Sequence, residues 1–279
     1  MLKLAAFADE ISPDLGVQLE NLKKNGVMHI ELRGVAGKNV LDFDKAMQQD
    51  IKARAADAGI GIACIGSPIG KVKLGEPFEK HFDRFKLAVE IAEFFDAPMI
   101  RIFSYYPAEG TSYADFLKQD RAEVLKRLEQ QAAYVENYRP LFVHENEKDI
   151  YGEKVPQCLD IHQSIQAPKL KAAFDFANFV QAGDDPTVNW PMLKKYVAHI
   201  HIKDALKGTG KVVPAGQGDG GIPAILKDAW DSGYRGFLTL EPHLKVACHS
   251  SGETGPELFG VAVDALRKIC REQGIPLAS

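Results

Sequence analysis

Cysteine is scarce in this 279-residue chain, and the four present (Cys64, Cys158, Cys248 and Cys270) lie far apart with no C-x-x-C spacing. Neither a zinc knuckle nor a disulfide framework is indicated, and the thiols read as small buried apolar groups. A basic surplus is also missing. The 34 lysines and arginines face 38 acids, for a net charge of −4 at pH 7. With no positive field to gather phosphates, nucleic acid is not expected as a partner. No apolar run approaches the ~18 residues of a membrane span, so a membrane is not expected either. The N-terminal Met-Leu-Lys-Leu-Ala-Ala-Phe-Ala-Asp-Glu is apolar only briefly before it meets acids. That is not a signal-peptide pattern, and a soluble, cytoplasmic protein is the reading. Linkers and low-complexity tracts are lacking as well. A content of 46% hydrophobic and 26% charged residues is that of a globular chain with a large core.

What is present is a repeated rhythm. Strand-like segments at 2–8, 29–33, 60–65, 98–103, 141–145, 170–174, 197–202 and 237–240 alternate with helical patterns. The first helix is capped near Ser12-Pro13-Asp14 and stopped by Asn25-Gly26; the second is capped by Asp42 or Asp44 and stopped by Gly59. Pro77 opens a long helix to 95, with an apolar face at Phe82, Phe85, Val89, Ala92 and Phe95. Further helices are predicted at 114–138, 155–165, 220–232 and 256–271, with a short helix and then 190–196 between the sixth and seventh strands. Such units imply a parallel sheet, and eight of them in one domain over 1–279 close most economically as a single (β/α)8 TIM barrel. An open, doubly wound sheet would usually carry a glycine fingerprint after its first strand. Phe7-Ala8-Asp9-Glu10 is not one.

In such a barrel, chemistry sits where strands meet their following loops. The stretch Val197-Ala198-His199-Ile200-His201-Ile202-Lys203-Asp204 alternates, so His199 and His201 share one strand face. Glu145, Asp175 and Glu241 end the fifth, sixth and eighth strands. Neighbouring strands lie about 4.8 Å apart, so Glu145, Asp175, His201 and Glu241 can converge on one ion. Two Glu, one Asp and one His form a hard, mostly oxygen donor set suited to Mn²⁺, Mg²⁺ or Co²⁺, with Zn²⁺ possible. Any one of these acids alone reads equally well as a helix cap or a partner for a surface lysine. Four at successive strand ends point to a divalent metal.

The segments His-Glu-Asn-Glu-Lys-Asp-Ile-Tyr-Gly (144–152), Phe-Asp-Phe-Ala-Asn-Phe (174–179), His-Ile-His-Ile-Lys-Asp (199–204), Gly-Gln-Gly-Asp (216–219) and Leu-Glu-Pro-His (240–243) resemble the xylose isomerase-like TIM barrels. The closer resemblance is to their sugar phosphate isomerase/epimerase group, and Gly-Ser-Pro-Ile-Gly-Lys (66–71) adds to it. The resemblance spans the chain. It implies a mononuclear divalent site of Glu145, Asp175, His201 and Glu241, and a small carbohydrate substrate whose adjacent oxygens bind the metal. Proton removal beside a carbonyl fits that set: the metal polarises the carbonyl and stabilises an enediolate, while Glu145 and Glu241 act as acid and base. A dehydratase of a keto-polyol would use the same site. A non-enzymatic sugar-binding barrel is a further alternative. An abasic-site endonuclease is remote, because Asn178, Ser67, Arg101, Pro214 and Gly216 stand where its extra metal ligands belong.

The remaining candidates carry paired readings. His199 contacts substrate or supports the metal shell, or is a satisfied core histidine. Glu147 is a rival metal ligand or a substrate contact. Asn178 stands where some ketose 3-epimerases of this class carry a substrate histidine, a departure from that reaction. Arg101 contacts an anion or hydroxyl, or pairs in the barrel with Glu31, which is itself a substrate candidate. Lys203 polarises a substrate oxygen, and Asp204 braces a loop. The 216–221 glycine run cradles a phosphate or is a turn. Ser67 to Lys71 closes over substrate or is a turn. His243, Tyr105 and Tyr106 are rim or wall candidates. Assembly as a homo-oligomer is left open.

Overall fold

The computed structural model describes residues 1–247 and 252–278, so Cys248 lies outside the described residues. Eight parallel strands close into a barrel: β1 (Lys3–Ala6), β2 (His29–Leu32), β3 (Gly61–Ile65), β4 (Met99–Ile102), β5 (Leu141–Glu145), β6 (Leu170–Asp175), β7 (Val197–Ile202) and β8 (Phe237–Leu240). Each pairs with its neighbours in sequence, and β1 closes the ring against β8 with Lys3 opposite Phe237 and Ala6 opposite Leu240. The TIM barrel read from the sequence is the fold observed.

Period-two alternation sorts each strand. Ile30, Ile100, Phe142, Phe174, Ile200 and Leu238 face outward into one large apolar core shared with the surrounding helices. The inward set is mixed. Cys64, Met99, Val143 and Ala173 form a separate small apolar cluster, and buried polar residues stand beside it, with Glu31 opposite Cys64 and His199 opposite Ala173.

The helices are α1 (Leu15–Lys24), α2 (Lys45–Asp57), α3 (Phe78–Phe94), α4 (Tyr113–Gln119), α5 (Arg121–Val135), α6 (Val155–Ser164), α7 (Phe176–Gln181), α8 (Pro186–Leu193), α9 (Ile222–Asp231) and α10 (Gly255–Glu272). Asp14 caps α1 by accepting from the Val17 N–H at 2.9 Å, and Asp44, not Asp42, caps α2 through the Met47 N–H at 2.9 Å. The helix expected over 114–138 is two, broken at Asp120, with Ser112 capping the first through the Asp115 N–H. The segment expected at 190–196 is the end of α8, whose N-cap is Asp185. Among the described residues no helix is long and apolar enough to cross a membrane.

Two loops at the active end are fixed by internal bonds. The run after β3 pairs with the run after β4: Phe103 N–H donates to Ile69 O, Tyr105 N–H to Gly70 O and Tyr106 N–H to Val72 O, at 2.7 to 3.0 Å. Gly70 is required there, since a Cβ would come within 2.1 Å of Phe103 O. Its N–H donates to His81 Nε2 of α3 at 3.2 Å. The 67–71 loop is thus tied down, and Tyr105 is buried in the core, neither a pocket wall nor a surface residue. In the second loop the glycine run is neither a phosphate cradle nor a bare turn. The amides of Gly216, Gly218 and Gly220 donate at 2.8, 3.0 and 2.9 Å to the buried carboxylate of Asp204, directly beyond β7. A Cβ on Gly218 would lie 2.4 Å from that carboxylate, so glycine is needed for the approach.

Removing the acceptor strands these donors. Asp204→Ala is expected to lower unfolding stability by about 3 kcal/mol in denaturant titrations, with buried amides left unpaired. An unchanged midpoint would contradict the cradle. Burial, with Arg127 and Arg84 nearby, pulls the His81 imidazole from 6.5 down to about 4. A base depressed on folding contributes stability that is full above its unfolded pKa and is lost as pH falls through the folded one. Stability is therefore expected to drop by about 2 kcal/mol between about pH 7 and pH 5 on account of this residue. The drop should be smaller by that amount in His81→Gln, and equal slopes in the two proteins would exclude the contribution.

Candidate metal centre

Glu145 closes β5, Asp175 closes β6, His201 lies one residue before the end of β7, and Glu241 directly follows β8. The register sets Asp175 opposite His201, with Glu145 opposite Ala173 and Glu241 two residues beyond the Thr239 that faces His201, and the four side chains converge inside the barrel mouth. One ligand atom from each lies within 4.8 Å of the others, and all four residues are buried. His201 Nδ1 stands 3.2 Å from Glu145 Oε1 and 3.7 Å from Glu241 Oε2, and makes no hydrogen bond. Asp175 uses Oδ1 to cap α7 through the Asn178 N–H at 2.7 Å. Its Oδ2 makes no hydrogen bond, with the Lys203 ammonium 3.0 Å away.

Buried polar atoms without hydrogen bonds are costly, and here two of them converge with two more carboxylates. Such a donor set fits one hard divalent ion such as Mg²⁺ or Mn²⁺, and the absence of thiolate argues against structural zinc. The charges respond to this crowding. Burial pushes Asp175 up to about 7, opposed by Lys203. Burial would raise Glu145 as well, but His201 and Arg101 hold it at about 2. Lys203 and His243 keep Glu241 well below the carboxylate range despite its burial. His201, against the pull of burial, is held well above its usual range by Glu145 and Glu31. A metal at Nδ1 would displace a proton from it.

Glu31, Ser67 and His199, expected as substrate contacts, are fully buried and lie outside the lining of the cavity above the centre. Glu31 is fully buried beneath the centre, with Oε2 2.6 Å from His199 Nε2 and 3.2 Å from His201 Nε2. His199 also meets Thr239 Oγ1 at 3.1 Å. Together they orient His201, whose Nε2 is engaged by Glu31 while Nδ1 faces the carboxylates, as carboxylates behind metal-binding histidines do. Ser67 Oγ donates to Arg101 O at 2.5 Å and ties β3 to β4.

The other candidates do reach the cavity of about 570 Å³ above the centre, lined in part by Arg101, Glu147, Asn178, Lys203 and Glu241. Arg101 pairs with Glu145 at 3.1 Å, not with Glu31 as the sequence suggested. Asn178 donates to Glu145 Oε1 at 3.2 Å and to Asn146 O at 2.9 Å. Lys203 bridges Asp175 and Glu241 at 3.0 and 3.1 Å. Glu147 pairs with Lys71 at 2.7 Å and is not one of the four converging residues.

Sequence reasoning missed Arg33. From the end of β2 it reaches Glu241 Oε1 at 3.0 Å, Asp9 Oδ2 at 2.8 Å and Glu10 Oε1 at 3.5 Å. His243, read only as a rim residue, lies 3.1 Å from Glu10 and 3.5 Å from Glu241, and against burial these acids hold it at about 9. The same strand-end rule applied to β1 and β2 would have flagged Asp9, Glu10 and Arg33.

Solved structures share this architecture. A probable 3-DHS dehydratase from Bacillus anthracis is 18% identical, with a TM-score of 0.74 over 95% of this chain and 99% of that one. D-psicose 3-epimerase from Clostridium cellulolyticum H10 is 16% identical, with a TM-score of 0.73 over 97% and 99%. A xylose isomerase-like TIM barrel protein from Mycobacterium smegmatis, in complex with magnesium, is 15% identical, with a TM-score of 0.72 over 99% and 98%. At these identities the likeness is one of fold. Among curated proteins nothing matches the sequence. The sequence profile of one family matches residues 19–269 along nearly the whole barrel, and by that match the chain belongs to the xylose isomerase-like TIM barrel family.

Proposed function

We propose that the protein is a divalent-metal-dependent isomerase or epimerase of a sugar or related keto-compound. The observation that carries this reading is that the four buried ligand atoms within 4.8 Å include both glutamates able to move a proton. Glu145, Asp175, His201 and Glu241 would hold the ion, Mn²⁺ or Mg²⁺ by the hardness of the set. Bound by these residues, a divalent ion would supply Lewis acidity to a substrate carbonyl and make the neighbouring C–H more acidic.

The protein's own groups do the rest. Glu145 and Glu241 are both held ionised, so either can accept the carbon-bound proton. Glu145 is aimed by the Asn178 amide and by Arg101, and Glu241 by Lys203 and Arg33. Carboxylates from β5 and β8 approach the cavity from different sides. A proton taken by one and returned by the other to the same carbon inverts it, and return to the adjacent carbon moves the carbonyl. Lys203 is held as an ammonium by Asp175 and Glu241 against the pull of burial, and so donates to a substrate oxygen. That donor also supports a second reading, dehydration of a keto-polyol, in which it assists a departing hydroxyl after the same proton removal. Loss of water in the product mass separates the two.

Glu145→Gln and Glu241→Gln should each reduce deuterium incorporation from D₂O into the substrate by roughly 100- to 10,000-fold, while the thermal midpoint stays near the parent. Exchange retained in both variants would sink the acid–base assignment. Calorimetric titration with Mn²⁺ should give about one ion per chain, and Glu31→Ala should bind it roughly 10- to 100-fold more weakly, since His201 loses its brace. Parent-like affinity in that variant would remove Glu31 from the metal's support.

A further inference from the structure

One wall of the cavity is a stack of alternating cations and rings. The Arg33 guanidinium lies 4.4 Å from the Phe7 ring, and Arg101 lies 4.8 Å from the same ring and 5.0 Å from Phe103. The Lys71 ammonium sits 4.4 Å from Phe103. These cations come from the ends of β2 and β4 and from the loop tied down after β3, and all three line the cavity. Set against aromatic faces and paired with carboxylates, Arg33 with Asp9 and Glu241, Arg101 with Glu145 and Lys71 with Glu147, they are fixed in place, so an anion binding there has little left to order. Lys148, Lys203 and Lys207 add charge around the same cavity, whose lining among the described residues includes only Glu147 and Glu241 as acids.

A neutral polyol asks for donors and acceptors together, whereas lysine and arginine offer donors alone. A carboxylate is the reverse, acceptor only when ionised. Arg101 is the most telling of the set. It is 5% exposed, its NH1 stands 3.1 Å from Glu145 and 4.0 Å from Glu241, its NH2 donates to Gly66 O at 3.3 Å, and its Nε makes no hydrogen bond. An anion accepting from Arg101 would therefore lie beside the two proposed acid–base groups, one or two bonds from the reacting carbons. A phosphate ester at the far end of a sugar would instead reach the outer Lys148 and Lys207.

We infer that the substrate is a keto-acid of the sugar class, with a carboxylate next to the reacting carbons received by the planar fork of Arg101, and with Arg33 and Lys71 extending the cationic wall. This rests on the reading of the site as a metal-assisted proton-transfer centre and narrows its substrate.

The test is calorimetric titration of the Mn²⁺-loaded protein with three achiral probes sharing a hydroxyketone unit: 3-hydroxypyruvate, dihydroxyacetone and dihydroxyacetone phosphate. The acid is expected to bind at least about tenfold more tightly than its neutral counterpart. Arg101→Met and Arg101→Lys should both erase that advantage with the thermal midpoint held, the second because it keeps the charge and loses the fork. Equal binding of acid and neutral probe would overturn the inference. So would a preference for the phosphate that Lys148→Ala and Lys207→Ala remove, or an acid preference intact in both Arg101 variants. Failure to load Mn²⁺ shows in the same instrument and counts against the metal reading alone; the Arg101-dependent acid preference is then read on the metal-free protein with the same criteria.

Discussion

Burying several carboxylates within a few ångströms of one another is the constraint on which this structure depends. Glu31, Glu145, Asp175 and Glu241 are at most 4% exposed at the mouth of a barrel whose outer layers are apolar. Isolated, each would neutralise itself or carry a desolvation cost of several kcal/mol. The chain answers with cations placed on the same ring of strand ends: Arg33 on Glu241, Arg101 on Glu145, Lys203 between Asp175 and Glu241, and His201 between Glu31 and Glu145. Asp175, its carboxylate 3.0 Å from the Lys203 ammonium, is still pushed up by burial, to about 7. A divalent ion held there, as proposed, would supply further counter-charge to this acid-rich group.

That arrangement divides the barrel into two halves with different work. Strands β5 to β8 supply the acids and the imidazole, which hold an ion and move protons in the proposed reaction. Strands β2 and β4, with the loop after β3, supply guanidinium and ammonium groups stacked on Phe7 and Phe103. The second half does not repeat the chemistry of the first; it compensates its charge and shapes what can be bound beside it. Beneath both, Glu31 and His199 form a buried polar layer that orients His201 and lies outside the cavity lining.

The barrel and the four converging side chains were legible in the sequence because each rests on a local rule. Strand and helix periods alternate eight times, and the strand-end position alone brings Glu145, Asp175, His201 and Glu241 together. Partnerships across the barrel were not legible. Which acid Arg101 meets depends on the register between β4 and β5, where Arg101 pairs with Val143 just before Glu145, and no local pattern encodes that. Arg33 was missed because a basic residue closing a strand looks like a solvated end until the facing acids are known. Alternation gives the face of a strand and not the depth, so it did not separate Arg101 and Lys203, which line the cavity, from Glu31, Ser67 and His199, which do not. Of the readings offered for His199, support behind the metal shell is the one that its bond to Glu31 fits. The glycine run was ambiguous for the opposite reason: its amides do gather an anion, and the anion is Asp204, 12 to 16 residues earlier in the chain and adjacent in space.

The central claim is that Glu145, Asp175, His201 and Glu241 share one divalent ion, and crystals grown with Mn²⁺ test it most directly. Anomalous diffraction at the manganese edge should give one strong peak among Glu145, Asp175, His201 Nδ1 and Glu241. A peak elsewhere, or none at full Mn²⁺ loading, would contradict the account.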